Sequence, residues 1–177
     1  MAVRWPWQRR RLPPPLVAAM GEDEHIQAVA DLEDGSVLAV SRFGLWHVGS
    51  DASRTGWEAV AKARLTGSVL AIIPTRVVGE FSDGTTVLVD DPVREYVLSG
   101  RNTLTDVVHT RVRRSVAASR HLSRPGGGGW VVLRRVPGRD GVVAQLRLDP
   151  GADLAAPGLA DAVAGVVAEL RAGEQPG

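Results

Sequence analysis

Arginine is the residue type with the most chemistry to offer in this chain of 177 residues, and its spacing is uneven. Arg111, Arg113 and Arg114 stand together, Arg120 and Arg124 follow, and Arg134 and Arg135 come next. A second group, Arg9, Arg10 and Arg11, lies near the N-terminus. A guanidinium is a rigid fork of N–H donors that matches phosphate geometry, so arginines that converge predict anion binding. The candidate anion-binding residues are Arg9, Arg10, Arg11, Arg111, Arg113, Arg114, Arg120 and Arg124. Arg134 and Arg135 are neighbours in an expected strand and must point to opposite faces, so one patch cannot use both. Trp5 and Trp7, beside the first arginines, have the amphipathic rings that suit an interface and are candidate contact residues.

Other chemistries are poorly represented. There is no cysteine, which removes disulfides, thiol catalysis and cysteine-ligated metals. His25, His47, His109 and His121 form no HExxH, HxxxH or HxH pair, so no metal ligand set is expected. The run Glu22-Asp23-Glu24-His25 reads as a solvated turn rather than a cation site. His47, between Trp46 and Val48, faces away from Trp46 and is expected at a rim. The glycines of "RPGGGGW" (124–130) lack the Lys-Ser/Thr of a phosphate loop and precede no helix, so they read as a flexible connector. No serine lies in a GxSxG elbow. The expectation is a protein that is not an enzyme, with no cofactor and no metal.

The net charge of +1 hides a strong segregation. Residues 21–100 carry six basic against thirteen acidic side chains, and residues 101–148 carry ten against two. Either an acidic part docks on a basic one, or the basic part meets an anionic partner such as lipid or nucleic acid. The apolar stretch at 12–20 is short and broken by prolines, so neither a signal peptide core nor a membrane span is expected. The expected location is cytoplasmic, with the inner membrane face as a peripheral site.

The elements that must position these residues can be read from periodicity. Residues 1–20 read as a basic arm, extended through Pro13, Pro14 and Pro15. Strands are expected at 26–32, 36–42 and 45–49, the first two joined through Asp34-Gly35. After a loop at 50–56, further strands are expected at 57–65, 68–74, 76–81, 85–90 and 94–100, with Asp83-Gly84 as another hairpin signal. Leu104, Val107, Val108 and Val112 then form one helical stripe over 103–114. Thr103 and Asp106 have the spacing of a capping box. A strand at 115–122, a hairpin from 130–136 and 142–149, and a helix with Leu159, Val163, Val166, Val167 and Leu170 on one face complete the chain.

The segments "VLAVSRFGLWHVG" (37–49), "GWEAVAKARL" (56–65) and "TLTDVVHTRVRRSV" resemble the bacterial pleckstrin-homology-like (PH-like) domain. The likeness implies an α+β fold, a small bent antiparallel β-barrel closed by one helix, here with an added β-hairpin region and a C-terminal amphipathic helix. The implied division is an arm (1–20), barrel plus helix (21–115) and appended strands and helix (116–177). Nearly the whole chain is also similar to a conserved actinobacterial family, a likeness that brings no activity with it. Membership implies binding and transfers no catalytic residue. A protein partner, held in the groove between barrel and helix or on an edge strand, is the first expectation. Anionic lipid or nucleic acid, held by the arm and the 101–148 region, is the alternative.

Overall fold

Prolines open the first element of the computed structural model, which describes residues 11–100 and 102–174. Trp5, Trp7, Arg9 and Arg10 lie outside the described residues. Helix α1 spans Pro14–Ala19, with prolines in its first two positions and Pro13 extended ahead of them. Proline is tolerated there because those N–H groups have no helical acceptor and its φ is already helical. The extended reading holds at Pro13 and is corrected to helix at Pro14 and Pro15. Leu16 is fully buried against Ala39, Trp46 and Val48, so α1 is fastened to the sheet that follows.

Strands β1 (Ile26–Asp31), β2 (Val37–Ser41), β3 (Gly44–Val48) and β4 (Ala52–Gly56) form an antiparallel meander. The chain expected as a loop at 50–56 is therefore largely β4. At the first hairpin only Gly35 has positive φ, 85°, and Asp34 Oδ1 accepts from the Ser36 N–H at 2.9 Å. The backbone bonds Gly35 N–H to Leu32 O and Leu32 N–H to Ser36 O define a three-residue loop. Such a loop needs a left-handed residue at its end, which glycine adopts without steric cost.

The next strands are β5 (Val60–Thr66), β6 (Val69–Glu80), β7 (Thr86–Asp90) and β8 (Arg94–Val97). Trp57–Ala59 is a 3-10 turn, not the start of a strand. The two strands expected at 68–74 and 76–81 are one: β6 runs through Pro74, where its neighbours change. Its first half pairs with β5 and β8, and its second half pairs with β7. Helix α2 (Leu104–Ser115), strands β9 (Val116–Leu122), β10 (Gly129–Arg134) and β11 (Val143–Leu148), and helix α3 (Leu159–Glu174) follow.

The second sheet has the order β5-β6-β7-β11-β10-β9, with β8 on the other side of β6. β7 and β11 are parallel, so the sheet is mixed. An isolated bridge, Leu32 to Leu98, ties β1 to the end of β8. The result is an α+β fold whose strands curl into a half-barrel. The expected closed antiparallel barrel is corrected to an open one, because β4 and β5 do not pair across the Trp57 turn.

Two larger cores follow from this arrangement. In one, Leu104 and Val108 of α2 cover Leu38, Val40, Leu70 and Ile72, all fully buried. In the other, Val163 and Val167 of α3 pack on Val131, Leu133 and Leu146. The glycine run before β10 is a packing device rather than a loose connector. A Cβ on Gly129 would stand 2.2 Å from Arg147 O, and one on Gly128 would stand 2.4 Å from Leu122 O. Strand backbones approach there too closely for any side chain. Gly129→Ala is expected to lower stability by about 1–3 kcal/mol, the usual range for overpacking. A shift of the urea midpoint checks this, and an unchanged midpoint would contradict it.

Candidate arginine groove

Helix α2 presents its last turns to the short loop between β10 and β11, and arginines from both converge. The helix is started by Asn102, whose Oδ1 accepts from the Leu104 N–H at 3.1 Å. Thr103 makes no side-chain cap bond, so the expected capping box does not form. The apolar stripe turns Leu104 and Val108 inward and leaves Arg111, Arg113 and Arg114 toward solvent at the C-terminal end. Cations there are favoured by the helix dipole.

One hollow of about 230 Å³ is lined by Arg42, Arg111, Arg114, Arg135 and Arg139, five guanidinium groups, with Trp57 and Ser115 behind them. A second hollow, about 380 Å³, is lined by Arg113 together with Thr110 and Val116, and shares Arg114 and Arg135 with the first. Among the described residues, no carboxylate lines either one. Arg111 donates from Nε to Gln27 Oε1 at 3.0 Å. Arg135 donates to the carbonyls of Val116 at 3.4 Å and Arg114 at 3.5 Å. Arg42 stacks its guanidinium 4.4 Å from the Phe43 ring centre. Partial burial and the neighbouring Arg114 push Arg111 below the ordinary arginine range. Gln27 thus orients Arg111 and the Phe43 ring orients Arg42, and the gathered like charges repel one another.

Behind the groove lies a seventh arginine. Arg134 is 5% exposed and donates to Ser115 Oγ at 2.6 Å, Val60 O at 3.1 Å and Trp57 O at 3.4 Å. Its Nε is buried with no hydrogen-bond partner among the described residues. Burial lowers its affinity for the proton; Glu58 acts in the opposite sense and Arg147 adds to the lowering. Its acceptors Trp57 and Ser115 are also lining residues of the first hollow, so the buried charge sits directly behind that floor.

The expected anion-binding residues thus divide. Arg111, Arg113 and Arg114 come together in the groove. Arg120 pairs with Glu169 of α3, and Arg124 donates to the carbonyls of Pro157 and Gly158 ahead of that helix. Those two are fastening groups, and neither lines the groove. Arg11 is exposed before α1 and does not line it either. The expected internal pairing of basic and acidic parts is met by Arg147, which forks onto Asp90 of β7 with both bonds at 2.5 Å. Arg42 and Arg139 escaped sequence reasoning because one sits in a hairpin and the other in a loop, far apart in the chain. The expectation that one patch cannot use both Arg134 and Arg135 is met: Arg134 points inward and Arg135 outward.

The Glu22-to-His25 run also differs from its reading as a solvated turn. Glu22, Asp23 and His25 are exposed, but Glu24 is 4% exposed. Its carboxylate accepts from Ser41 Oγ, from Trp46 Nε1 at 2.8 Å and from Arg54 Nη1 at 2.7 Å. Arg54 in turn lies over the Trp46 and Phe43 rings at 5.3 and 5.5 Å. His47 Nε2 is 3.0 Å from Ser36 Oγ, whose own proton goes to Asp34 Oδ1 at 2.6 Å. The serine proton faces the aspartate and not the imidazole, the reverse of what an activated nucleophile requires. Among the described residues no group of three or more His, Asp or Glu side chains could hold a metal ion. No described helix is long and apolar enough to cross a membrane.

Comparison with protein-family models, with curated proteins and with solved structures finds no match to this chain.

Proposed function

We propose that this chain is a binding module without catalytic chemistry, of PH-like kind, whose arginine groove receives an anionic ligand. One observation carries the reading: five arginines line a single hollow with no carboxylate among them. Like charges gathered on a folded surface repel, and the arrangement makes physical sense only with a partner of opposite sign. Elsewhere on the described surface Arg120 and Arg147 each stand against a carboxylate, whereas the lining of this hollow is dominated by one sign of charge. The PH-like part of the proposal draws support from the strand run β4-β3-β2-β1, bridged to β8-β6-β5 and followed by α2. The space between that helix and the sheets is filled by Leu104 and Val108, which favours the groove over the helix–sheet cleft as the ligand seat.

The test is an amide NMR titration of the full chain with inorganic phosphate at low ionic strength, with chloride as the control. Saturable shifts confined to residues 110–116 and 135–139 are expected. They should weaken by about tenfold in Arg114→Gln, the loss of one charge-assisted contact of about 1.5 kcal/mol, and should fade as salt is raised. Shifts that do not saturate, or that chloride reproduces, would overturn the reading.

A further inference from the structure

The groove has two compartments, and their shared wall limits what can fill it. We propose that it takes a linear oligophosphate, a ligand with phosphoryl groups in tandem, with one group seated in each hollow; this rests on the anion-binding reading above. The first hollow is the smaller and the more charged, with Arg42, Arg111 and Arg139 contributing to it alone. Arg134 adds a buried charge behind its Ser115 floor. A single phosphate therefore sits there. The second hollow has Arg113 and the Thr110 hydroxyl as its own polar groups. Arg114 and Arg135 stand between the two and line both, so a chain of phosphates crossing from one to the other stays within reach of guanidinium N–H groups throughout.

A ligand that spans both compartments gains the second set of contacts without a second loss of translational freedom. A lone phosphate cannot. The hydroxyl and guanidinium donors of the second hollow suit phosphoryl oxygens. The one aromatic residue lining either hollow is Trp57, which is 1% exposed. Among the described residues the lining therefore offers no exposed ring of its own, and the nearby Phe43 ring is covered by Arg42, whereas base stacking is the usual source of affinity for single-stranded nucleic acid. The phosphate chain, not a base, is what the groove reads.

Calorimetric titration of the full chain with inorganic phosphate, pyrophosphate and tripolyphosphate at matched ionic strength tests this. Tripolyphosphate is expected to bind at least about tenfold more tightly than phosphate, a modest share of the gain available to linked groups. Arg113 is exposed and makes no contact with either core, so Arg113→Gln is expected to fold normally. That variant should lose most of the tripolyphosphate advantage, a larger fold-loss than it suffers for phosphate. An ATP arm without metal separates two sources of the same chemistry. Tighter ATP than tripolyphosphate assigns a nucleotide tail, and the reverse assigns a free phosphate chain. Equal affinity for phosphate and tripolyphosphate overturns the two-compartment inference while leaving anion binding intact. So does an Arg113→Gln variant that weakens both ligands alike, as a pure net-charge effect would. Absence of binding by all of these anions overturns both proposals.

Discussion

Arg134→Ala is expected to lower the unfolding free energy by about 3–5 kcal/mol, combining a large-to-small truncation with stranded buried acceptors. The Arg134 side chain reaches from β10, in the core beneath α3, to Ser115 at the end of α2 and to the carbonyls of Trp57 and Val60. Trp57 and Val60 belong to the core under α2, and the guanidinium reaches them from the strand whose Val131 and Leu133 pack under α3. Removing it leaves a cavity and takes the arginine donors from Val60 O and Ser115 Oγ, while Trp57 O keeps the Val60 N–H. Arg134→Met fills most of that space and also removes a buried charge that no carboxylate among the described residues pairs with at ion-pair distance. Its cost should be smaller, about 1–2 kcal/mol, since apolar replacement of a buried ion is often tolerated. Arg134→Lys should resemble the alanine variant more than the methionine one, because a single ammonium cannot reach acceptors on two sides while staying desolvated. Chemical denaturation of the three variants checks the order. An alanine variant within about 1 kcal/mol of the parent would show that the bonds are not what joins the two cores.

Glu24→Gln is expected to cost about 3 kcal/mol at neutral pH, since it leaves Arg54 facing an amide in place of a buried carboxylate. Burial by itself would raise the Glu24 pKa. The bonds from Ser41 and Trp46, the charge of Arg54 and the Gly21 backbone N–H together hold it below the ordinary value of 4.5. The sign follows from linkage. A carboxyl whose folded-state pKa is depressed contributes stability that is fully present above its unfolded value and is lost as pH falls through the folded value. The parent should therefore lose stability below about pH 4.5, and Glu24→Gln should start lower and fall less steeply. Urea midpoints measured from neutral pH down to about pH 3 read both effects. Asp34 is also held below its ordinary value, by its bonds to Ser36, but it is fully exposed. Asp34→Asn is thus the control, and an acid limb altered as much by it as by Glu24→Gln would contradict the assignment.

The residues explain why some features were legible in advance and others were not. The α2 stripe was plain because Leu104, Val107, Val108 and Val112 repeat at the spacing of one helix face, a property of the chain's own geometry. The hairpins at Gly35 and Gly84 were plain because only glycine adopts their backbone cheaply. The 3-10 turn at Trp57 was not, since alternation of Trp57, Ala59, Ala61, Ala63 and Leu65 imitates a strand. What decides against it is the burial of the indole and its bond from Nε1 to Ser41 O at 3.1 Å, a contact 16 residues away. The helix at Pro14 was hidden because three prolines suit an extended chain equally well. Leu16 settles the matter by docking on β3.

The site divides along the same line. Local sequence places Arg111, Arg113 and Arg114 in one helical turn, and strand alternation sends Arg134 and Arg135 to opposite faces. These are consequences of backbone periodicity, which a sequence carries explicitly. Whether an arginine is fastened or left facing a groove depends on what lies across from it. Arg120 meets Glu169, Arg147 meets Asp90, and Arg42 and Arg139 meet further arginines. Charge patterning shows that a basic half exists. Only the curl of the sheets, which carries Arg42 from β2–β3 and Arg139 from the β10–β11 loop to the end of α2, turns it into a groove. Electrostatic fields act through space and die within about 8 Å at physiological salt, so distance in the fold, not distance along the chain, determines which charges act together.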